Sequence, residues 1–442
     1  MADRALSDNP LVQRQLDRLD LLSPGIDALG LERIGALLDR IGNPERNLPP
    51  VFHVAGTNGK GSTCAFLRAA VEAAGLTAHV YTSPHLVRFN ERIRISGGLI
   101  DDALLAALLS EVLDAAGEIH PTFFEVTTAA ALLAFARHPA DACIVEVGLG
   151  GRLDATNIIP EPAVCGIAQL AVDHQAMLGA SLELIAVEKA GIAKAGVPLV
   201  TQNYPAKVAS RIGEAAVQAG AIWIPRGEAW NSAIYQQQLH YRDRHGKIAL
   251  PMPRLAGGHQ AANAALAIAM IRHQQKVRIS DAAMRAAMGW AEWPARLQQL
   301  SPGPLHAMLP PGAQLWLDGG HNPAAARVIA DFFRGHVAAG QPFHIILGLL
   351  ENKDPAGVMK PFRNRSITLH AIPVADHAHH TPAKLAAAAR EAGINAMPAT
   401  GVEDALGWIA RHADRSKPPI VLILGSLYLA GEILRKNGQI PT

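Results

Sequence analysis

The sequence predicts an α/β protein in two parts: an N-terminal phosphate-loop domain on a doubly wound, mostly parallel sheet, and a smaller, Rossmann-like α/β domain behind it. The first observation is the run Val51-Phe52-His53-Val54-Ala55-Gly56-Thr57-Asn58-Gly59-Lys60-Gly61-Ser62-Thr63, in which an apolar stretch passes through a glycine-rich loop into an apolar-periodic segment. That order is strand, anion-binding loop, helix. Glycines let backbone N–H groups face a phosphate, the new helix terminus adds partial positive charge, and Lys60 adds a point charge. The second observation is the alternation of short apolar runs with helical periodicity, which starts again after a proline-containing stretch at 293–304. The third is the position of Ser83, Glu146 and Asp173-His174 at or near the carboxyl ends of predicted strands, the edge where such sheets gather ligands.

Taken in order, residues 11–41 carry apolar side chains at helical spacing, broken by Pro24-Gly25, with Leu29-Gly30-Leu31-Glu32-Arg33 opening a second helix. Pro44, Pro49 and Pro50 close this leader. After the phosphate loop, a strand at 77–81 ends in Thr82-Ser83-Pro84-His85, and helices are predicted at 101–116 and 123–136. The apolar strand 142–147 is broken only by Glu146 and runs into Gly148-Leu149-Gly150-Gly151-Arg152-Leu153-Asp154. A strand at 164–170 leads to Asp173-His174, and a helix at 181–194 carries Glu188-Lys189. Alternation persists through 197–224, polar alternation at 230–252 predicts a small antiparallel excursion, and 257–273 returns to helix. Trp293-Pro294-Ala295-Arg296 opens a hinge, so the domains are placed at 1–295 and 296–442. The second has strands at 314–317, 343–347 and 420–424, with helices at 324–335 and 427–436.

The bulk properties exclude several classes. The 442 residues suffice for two or three well-cored domains, and the net charge is only +2 from 40 basic and 38 acidic side chains, mixed along the chain. Nothing steers it globally toward nucleic acid or a membrane. Cys64, Cys143 and Cys165 are widely spaced within apolar segments, which fits reduced core thiols and a cytosolic, cytoplasmic setting. The N-terminus lacks the apolar core of a signal peptide, and no apolar stretch reaches membrane-spanning length. A monomer is the expected state.

The candidate chemistry lies at the strand ends. Ser62 or Thr63 could hold Mg²⁺ beside phosphates cradled by Thr57, Asn58, Gly59, Lys60 and Gly61. A buried Glu146 is costly unless paired or bound to a cation; with Ser83 it supplies the oxygen donors Mg²⁺ prefers, and the structural alternative is a core ion pair with Arg152. His174 is a less usual partner, equally readable as a satisfied core histidine. Lys189, by its spacing alone, is a routine surface lysine. Asp318-Gly319-Gly320-His321-Asn322-Pro323 lies between a strand and a helix, where Asn322 caps and Pro323 takes the first helical position. Arg296 at the hinge is placed to meet phosphate charge.

Together these motifs resemble the Mur ligase superfamily and, within it, the folylpolyglutamate synthase/dihydrofolate synthase family. The marks are HVAGTNGKGST at 53–63, Thr82-Ser83-Pro84-His85-Leu86, Thr122-Phe123-Phe124-Glu125, EVGLGGRLDATN at 146–157, Asp173-His174, EKAGI at 188–192, Asp318 to Pro323, and Gly425-Ser426-Leu427-Tyr428. Usual phosphate-loop spacing has a glycine five residues before Gly59, where this chain has Val54; Gly61 between Lys60 and Ser62 is the pattern of the folate branch. The resemblance implies metal ligands at Ser83, Glu146 and His174, and a carbamylated Lys189, a lysine turned into a carboxylate by CO₂. It implies acceptor contacts from Leu29, Gly30, Leu31 and Glu32, from Thr122, Phe123, Phe124 and Glu125, and from Leu153, Asp154 and Ala155, with Ser426 a further substrate-binding residue. ATP contacts are implied at Thr57–Ser62, Asn263, Arg296, Asp318 and His321. The implied cofactors are Mg²⁺ at two sites and ATP as co-substrate, with K⁺ a further candidate cation. One departure stands out: where the family usually has Pro-Gly-Arg, this chain has Pro294-Ala295-Arg296, and a left-handed backbone there would strain alanine.

The implied reaction phosphorylates a pteroate or glutamyl carboxylate and displaces phosphate with L-glutamate, with Lys60, His174, Lys189 and Arg296 as catalytic candidates. Most of the catalysis would be positioning and charge stabilisation. The substrates expected are ATP, dihydropteroate or a reduced folate, and L-glutamate. Two alternatives stay open at this point: another Mur-type amino-acid ligase acting on a cell-wall precursor, and an ATP-binding switch without ligase activity.

Overall fold

Eight strands build the first sheet: β1 (Val51–Ala55), β2 (Ala78–Tyr81), β3 (Ile93–Ile95), β4 (Gly98–Leu99), β5 (Ala142–Glu146), β6 (Val164–Ile167), β7 (Pro198–Thr201) and β8 (Ile222–Pro225), in the spatial order β4-β3-β2-β5-β1-β6-β7-β8. The computed structural model describes residues 7–22, 29–363 and 366–442. These fall into two units, one drawn from Met1–Arg254 and Gln260–Glu292, the other from Leu255–His259 and Trp293–Thr442. Pro24-Gly25 and the 364–365 step lie outside the described residues.

All five residues of β1 are buried, as in a parallel strand covered on both faces. β1 pairs in parallel with β5 on one side and β6 on the other, so the strand order reverses direction around it. The crevice beyond its carboxyl end is therefore a topological switch point, where open α/β sheets bind ligands. β3 pairs antiparallel with both β2 and β4 at one edge, and the remaining described pairings of this sheet are parallel. Helices Pro10–Leu22, Glu32–Arg40, Asp102–Ala116 and Phe123–Arg137 send Leu16, Leu37, Leu109 and Leu132 into a common core with Val51 and Val145. Another core packs β6 and β7 against helices Leu182–Ala190 and Ala206–Gln218.

The excursion at 230–252 is a meander of β9 (Trp230–Tyr235), β10 (Gln238–Asp243) and β11 (Gly246–Pro251), antiparallel throughout. Its alternation buries Trp230 and Tyr241, whose rings stack with centroids 5.7 Å apart. The helix predicted at 181–194 is shorter, Leu182–Ala190; Gly191 takes the cap, where a Cβ would collide with Arg152.

The second unit has six strands: β12 (Gln298–Gln299), β13 (Gln314–Asp318), β14 (Phe343–Leu347), β15 (Ile367–Ala371), β16 (Asn395–Pro398) and β17 (Ile420–Leu424), ordered β12-β13-β17-β14-β15-β16. All pairings are parallel except β12 with β13. Its core gathers Phe333, Phe343, Leu369, Leu385 and Leu422. β15, β16 and the helices Pro382–Glu391 and Val402–His412 were not among the expected elements, although Val402, Ala405, Leu406 and Ile409 stand at helical spacing. β16 is a four-residue strand ending in proline, and the Ala-rich helix at 382 has too few large apolar side chains to mark a stripe. Among the described residues no helix is long and apolar enough to cross a membrane.

Candidate active site

The phosphate loop leaves β1 at Gly56 and enters helix Lys60–Ala73 at once. Gly59 caps that helix in the left-handed region, φ 86°, and a Cβ there would collide with Asn263 Oδ1, so only glycine fits. Asn263, on helix Gly258–His273, is itself oriented by Gln260 Oε1, to which its Nδ2 donates at 3.0 Å. Thr57 N and Asn58 N donate to Gln169 O at 2.9 and 3.0 Å, and the Thr57 hydroxyl donates to Ala171 O at 3.0 Å. The segment after β6 thus clamps the loop. Ser62 is buried behind the loop, and the Thr63 hydroxyl returns to Gly59 O at 2.8 Å.

Glu146 ends β5 opposite Val54 of β1, which brings its carboxylate to the loop. Its Oε1 lies 3.9 Å from Lys60 Nζ, and its Oε2 accepts from Ser83 N at 3.3 Å. The carboxylate is therefore not paired with Arg152, whose guanidinium instead binds Glu188 at 2.9 and 3.1 Å. Ser83 follows β2 and is half-buried, and its peptide bond to Pro84 is cis. This pair of hard oxygen donors beside a loop lysine fits a divalent cation carried with a polyphosphate. His174 is exposed, left-handed at φ 51°, with Nε2 4.0 Å from Asp173 Oδ1. Among the described residues, no group of three or more His, Cys, Asp and Glu side chains is gathered to hold a metal.

Lys189 is not a surface lysine: it is 4 % exposed, and its Nζ faces Gly150 O at 3.5 Å. Burial, reinforced by the charge of Lys60, lowers its pKa from 10.5 to about 7, against a smaller opposing pull from Asp154, Asp173 and Glu188. The loop at 148–154 is pressed onto this helix. Arg152 N donates to Glu188 O at 2.7 Å, and a Cβ on Gly151 would sit 2.6 Å from the same carbonyl. Asp154 is buried and accepts from Leu149 N at 2.8 Å and from Thr156 N at 3.0 Å. Leu153 is half-buried and Ala155 buried.

Thr122 and Glu125 form a reciprocal capping box at the start of helix Phe123–Arg137. Glu125 also receives Arg33 Nε and Nη2 at 3.0 and 2.9 Å. Arg33 follows directly on Leu29 to Glu32, so one bidentate pair ties together the two segments expected to hold the acceptor. Leu29 and Leu31 are half-buried, Gly30 buried and Glu32 exposed. Phe123 is buried edge-on to Phe89, and Phe124 packs against Gly148. Sequence reasoning missed Arg33, which lies 92 residues from its partner, and Gln169, which acts through a backbone carbonyl.

In the second unit, Asp318 ends β13, fully buried. Its Oδ2 accepts from Leu297 N and its Oδ1 from Gly320 N, each at 2.7 Å. Burial pushes its carboxyl up, and the nearby Arg296 charge opposes that. Arg296 stands between two left-handed residues, Ala295 at φ 57° and Leu297 at φ 43°, so the strain expected at Ala295 is present. His321 Nδ1 faces Gly319 O at 3.0 Å and must carry the proton, since a carbonyl only accepts. Asn322 caps helix Pro323–His336, and Ser426 caps helix Leu427–Lys436 after β17.

Residues 307–436 match the family model described as dihydrofolate synthetase, C-terminal domain. The chain is 34% identical over 416 residues to the dihydrofolate synthase/folylpolyglutamate synthase of Escherichia coli strain K12, covering 94% of this chain and 92% of that one. Its structure superimposes on E. coli FolC in complex with DHPP and ADP with a TM-score of 0.86, at 33% identity and 97% coverage of both chains. It superimposes on a bifunctional folylpolyglutamate synthase/dihydrofolate synthase with Mn, AMPPNP and L-glutamate bound with a TM-score of 0.84, at 32% identity, over 98% of this chain and 99% of that one. Fold and site together define an ATP-dependent ligase of the Mur type. Among these ligases, the chain belongs to the dihydrofolate synthase/folylpolyglutamate synthase family.

Proposed function

We infer that the protein joins L-glutamate to dihydropteroate and to the γ-carboxylate of reduced folates at the expense of ATP. The observation that carries this reading is the meeting of Lys60, Glu146 and Ser83 at the switch point, next to a buried lysine and an acceptor-side pair of segments clamped by Arg33. A carboxylate resists attack by an amine because oxide would have to leave. Its oxygen therefore attacks the γ-phosphorus of ATP, the bond to the β–γ bridging oxygen breaks, and ADP departs from an acyl phosphate. The neutral amine of L-glutamate attacks the acyl carbon, the bond to the phosphate oxygen breaks, and inorganic phosphate leaves while the amine proton passes to solvent.

Thr57, Asn58, Gly59, Lys60, Gly61, Ser62 and Asn263 are assigned to the nucleotide, and Lys60 neutralises charge on the departing phosphates. Ser83 and Glu146 would hold Mg²⁺, which when bound supplies charge neutralisation at the phosphate oxygens. A second divalent ion at His174, with Lys189 as its carbamate, and K⁺ belong to the same reading. The low proton affinity of Lys189 supports it, since only the neutral amine adds CO₂, releasing a proton. Residues 1–295 are assigned the ATP and pteroate sites, and 296–442 the glutamate-ligating half, where Arg296, Asp318, His321 and Ser426 contact substrates. The reading also takes the enzyme to be a cytoplasmic monomer.

The test is ADP release with L-glutamate, run separately with dihydropteroate and with a reduced folate. Glutamate-dependent release with each is expected. Release independent of glutamate and acceptor would refute the ligase assignment, and release with one acceptor alone would remove half of it.

A further inference from the structure

β1 reads as an apolar strand except for His53, which is completely buried beneath the phosphate loop. A buried imidazole needs a reason. Its Nε2 lies 2.9 Å from Thr156 Oγ1, and the Thr156 hydroxyl in turn donates to Asp154 Oδ1. Burial pushes the Asp154 carboxyl up, but both its oxygens accept backbone N–H groups, which oppose that and leave it an acceptor. A hydroxyl has one proton, and with Thr156 giving it to Asp154, the proton between His53 and Thr156 comes from His53 Nε2. A second observation gives the same tautomer: His53 Nδ1 is buried with no hydrogen-bond partner among the described residues. A bare acceptor nitrogen survives in that position far better than an orphaned N–H. Burial and the charge of Lys194 hold the ring neutral, its pKa lowered to about 3.

We propose that His53 is a positioning residue of the ligase, whose Nε2–H, relayed through the Thr156 hydroxyl to Asp154, fixes the 149–156 loop on the phosphate-loop strand. What the relay holds is specific. Asp154 closes the loop by accepting from Leu149 N, and that loop presents Gly150 O to Lys189 and carries Leu153, Asp154 and Ala155. Lys194 and Asn157 brace its far end, through Lys194 Nζ to Asn157 O at 2.9 Å and Asn157 Nδ2 to Gly191 O at 3.0 Å. A shift of β1 relative to this loop would move the γ-phosphate and the acceptor carboxylate apart, and small misplacements of reacting atoms are costly. The proposal rests on the ligase reading above in assigning the loop to the acceptor.

The test compares His53→Gln, whose amide nitrogen occupies the Nε2 position, with His53→Asn, whose amide occupies the Nδ1 position, and Thr156→Ser with Thr156→Val. Gln and Ser keep the relay; Asn and Val break it. The expected result is kcat/KM for dihydropteroate within about threefold of native for the first pair and lowered about tenfold or more for the second, the scale of one lost buried hydrogen bond. KM for ATP should move less than about twofold in all four, which a general loosening of the fold would not give. Equal effects of Gln and Asn, or losses shared by ATP and acceptor, would overturn the proposal. The long-range ¹H–¹⁵N correlation spectrum of the native protein tests the relay without any turnover. An Nε2–H pattern for His53 supports it, and an Nδ1–H or imidazolium pattern overturns it. Inactivity of the native protein on dihydropteroate would instead refute the ligase reading.

Discussion

Lys189 offers the most quantitative prediction. An unmodified lysine that binds its proton with a pKa of 10.5 in the unfolded chain and about 7 in the folded one is held in an unfavourable place. At ~1.4 kcal/mol per tenfold change in proton affinity, that difference amounts to about 5 kcal/mol against folding when the pH is below 7. With 4 % exposure, solvent screening offsets little of it. The sign is fixed by proton counting: between about pH 7 and 10.5 the unfolded chain holds the proton and the folded chain does not, so stability rises with pH across that window. Lys189→Met keeps the volume and removes the charge. In CO₂-stripped buffer at pH 7 it should be more stable than native, by somewhat less than 5 kcal/mol because at that pH the folded lysine has already lost about half its protons, and the gap should close toward pH 10. The assay is urea unfolding from pH 6.5 to 10 for both proteins. Bicarbonate should stabilise the native protein alone, because CO₂ adds only to a neutral amine and at about pH 7–9 Lys189 is neutral in the folded chain but protonated in the unfolded one. Parallel stability curves for the two proteins would refute the reasoning, since they would mean that Lys189 titrates in the folded state as it does in the unfolded.

Three other perturbations follow from the same geometry. Lys60→Ala should lower ATP turnover by at least about 100-fold, the scale of losing one preorganised charge at a phosphoryl centre; unchanged ADP release would remove the phosphate-loop assignment. Arg33→Met leaves the Glu125 carboxylate, 3 % exposed, without its bidentate partner, at a cost of roughly 1.5–3 kcal/mol and a raised KM for dihydropteroate; a variant native in both thermal midpoint and KM would show that the clamp holds nothing. Ala295→Gly relieves about 1–2 kcal/mol of left-handed strain but loses a buried methyl and loosens the unfolded chain, about 0.8 and 0.4–1 kcal/mol. Stability within ~1 kcal/mol of native is therefore expected in chemical denaturation, whereas Ala295→Val should lose more than that; the reverse order would show that the φ of 57° is not what limits this position.

What could be read before the fold was known follows from where the chemistry is concentrated along the chain. The phosphate loop is legible because its glycines, lysine and hydroxyls are consecutive, and Glu146 because an acid closing an apolar strand has few structural uses. Lys189 was misjudged by spacing alone. Its helix is apolar on most sides, so no polar face marks where a lysine should lie, and only the fold puts the 148–154 loop over it. Arg33 and Gln169 were missed for different reasons: one meets its partner across 92 residues, the other contributes a carbonyl that every residue type possesses. His53 lies between these cases. Its presence in an otherwise apolar strand was visible, but its meaning depends on a proton direction that is set two bonds further along, at Asp154. The same carboxylate is also a favourable neighbour of the Lys189 ammonium. Loss of the His53 relay should therefore be felt at Lys189 as well as in the acceptor loop, so His53→Asn should change the bicarbonate response of the native protein while His53→Gln preserves it.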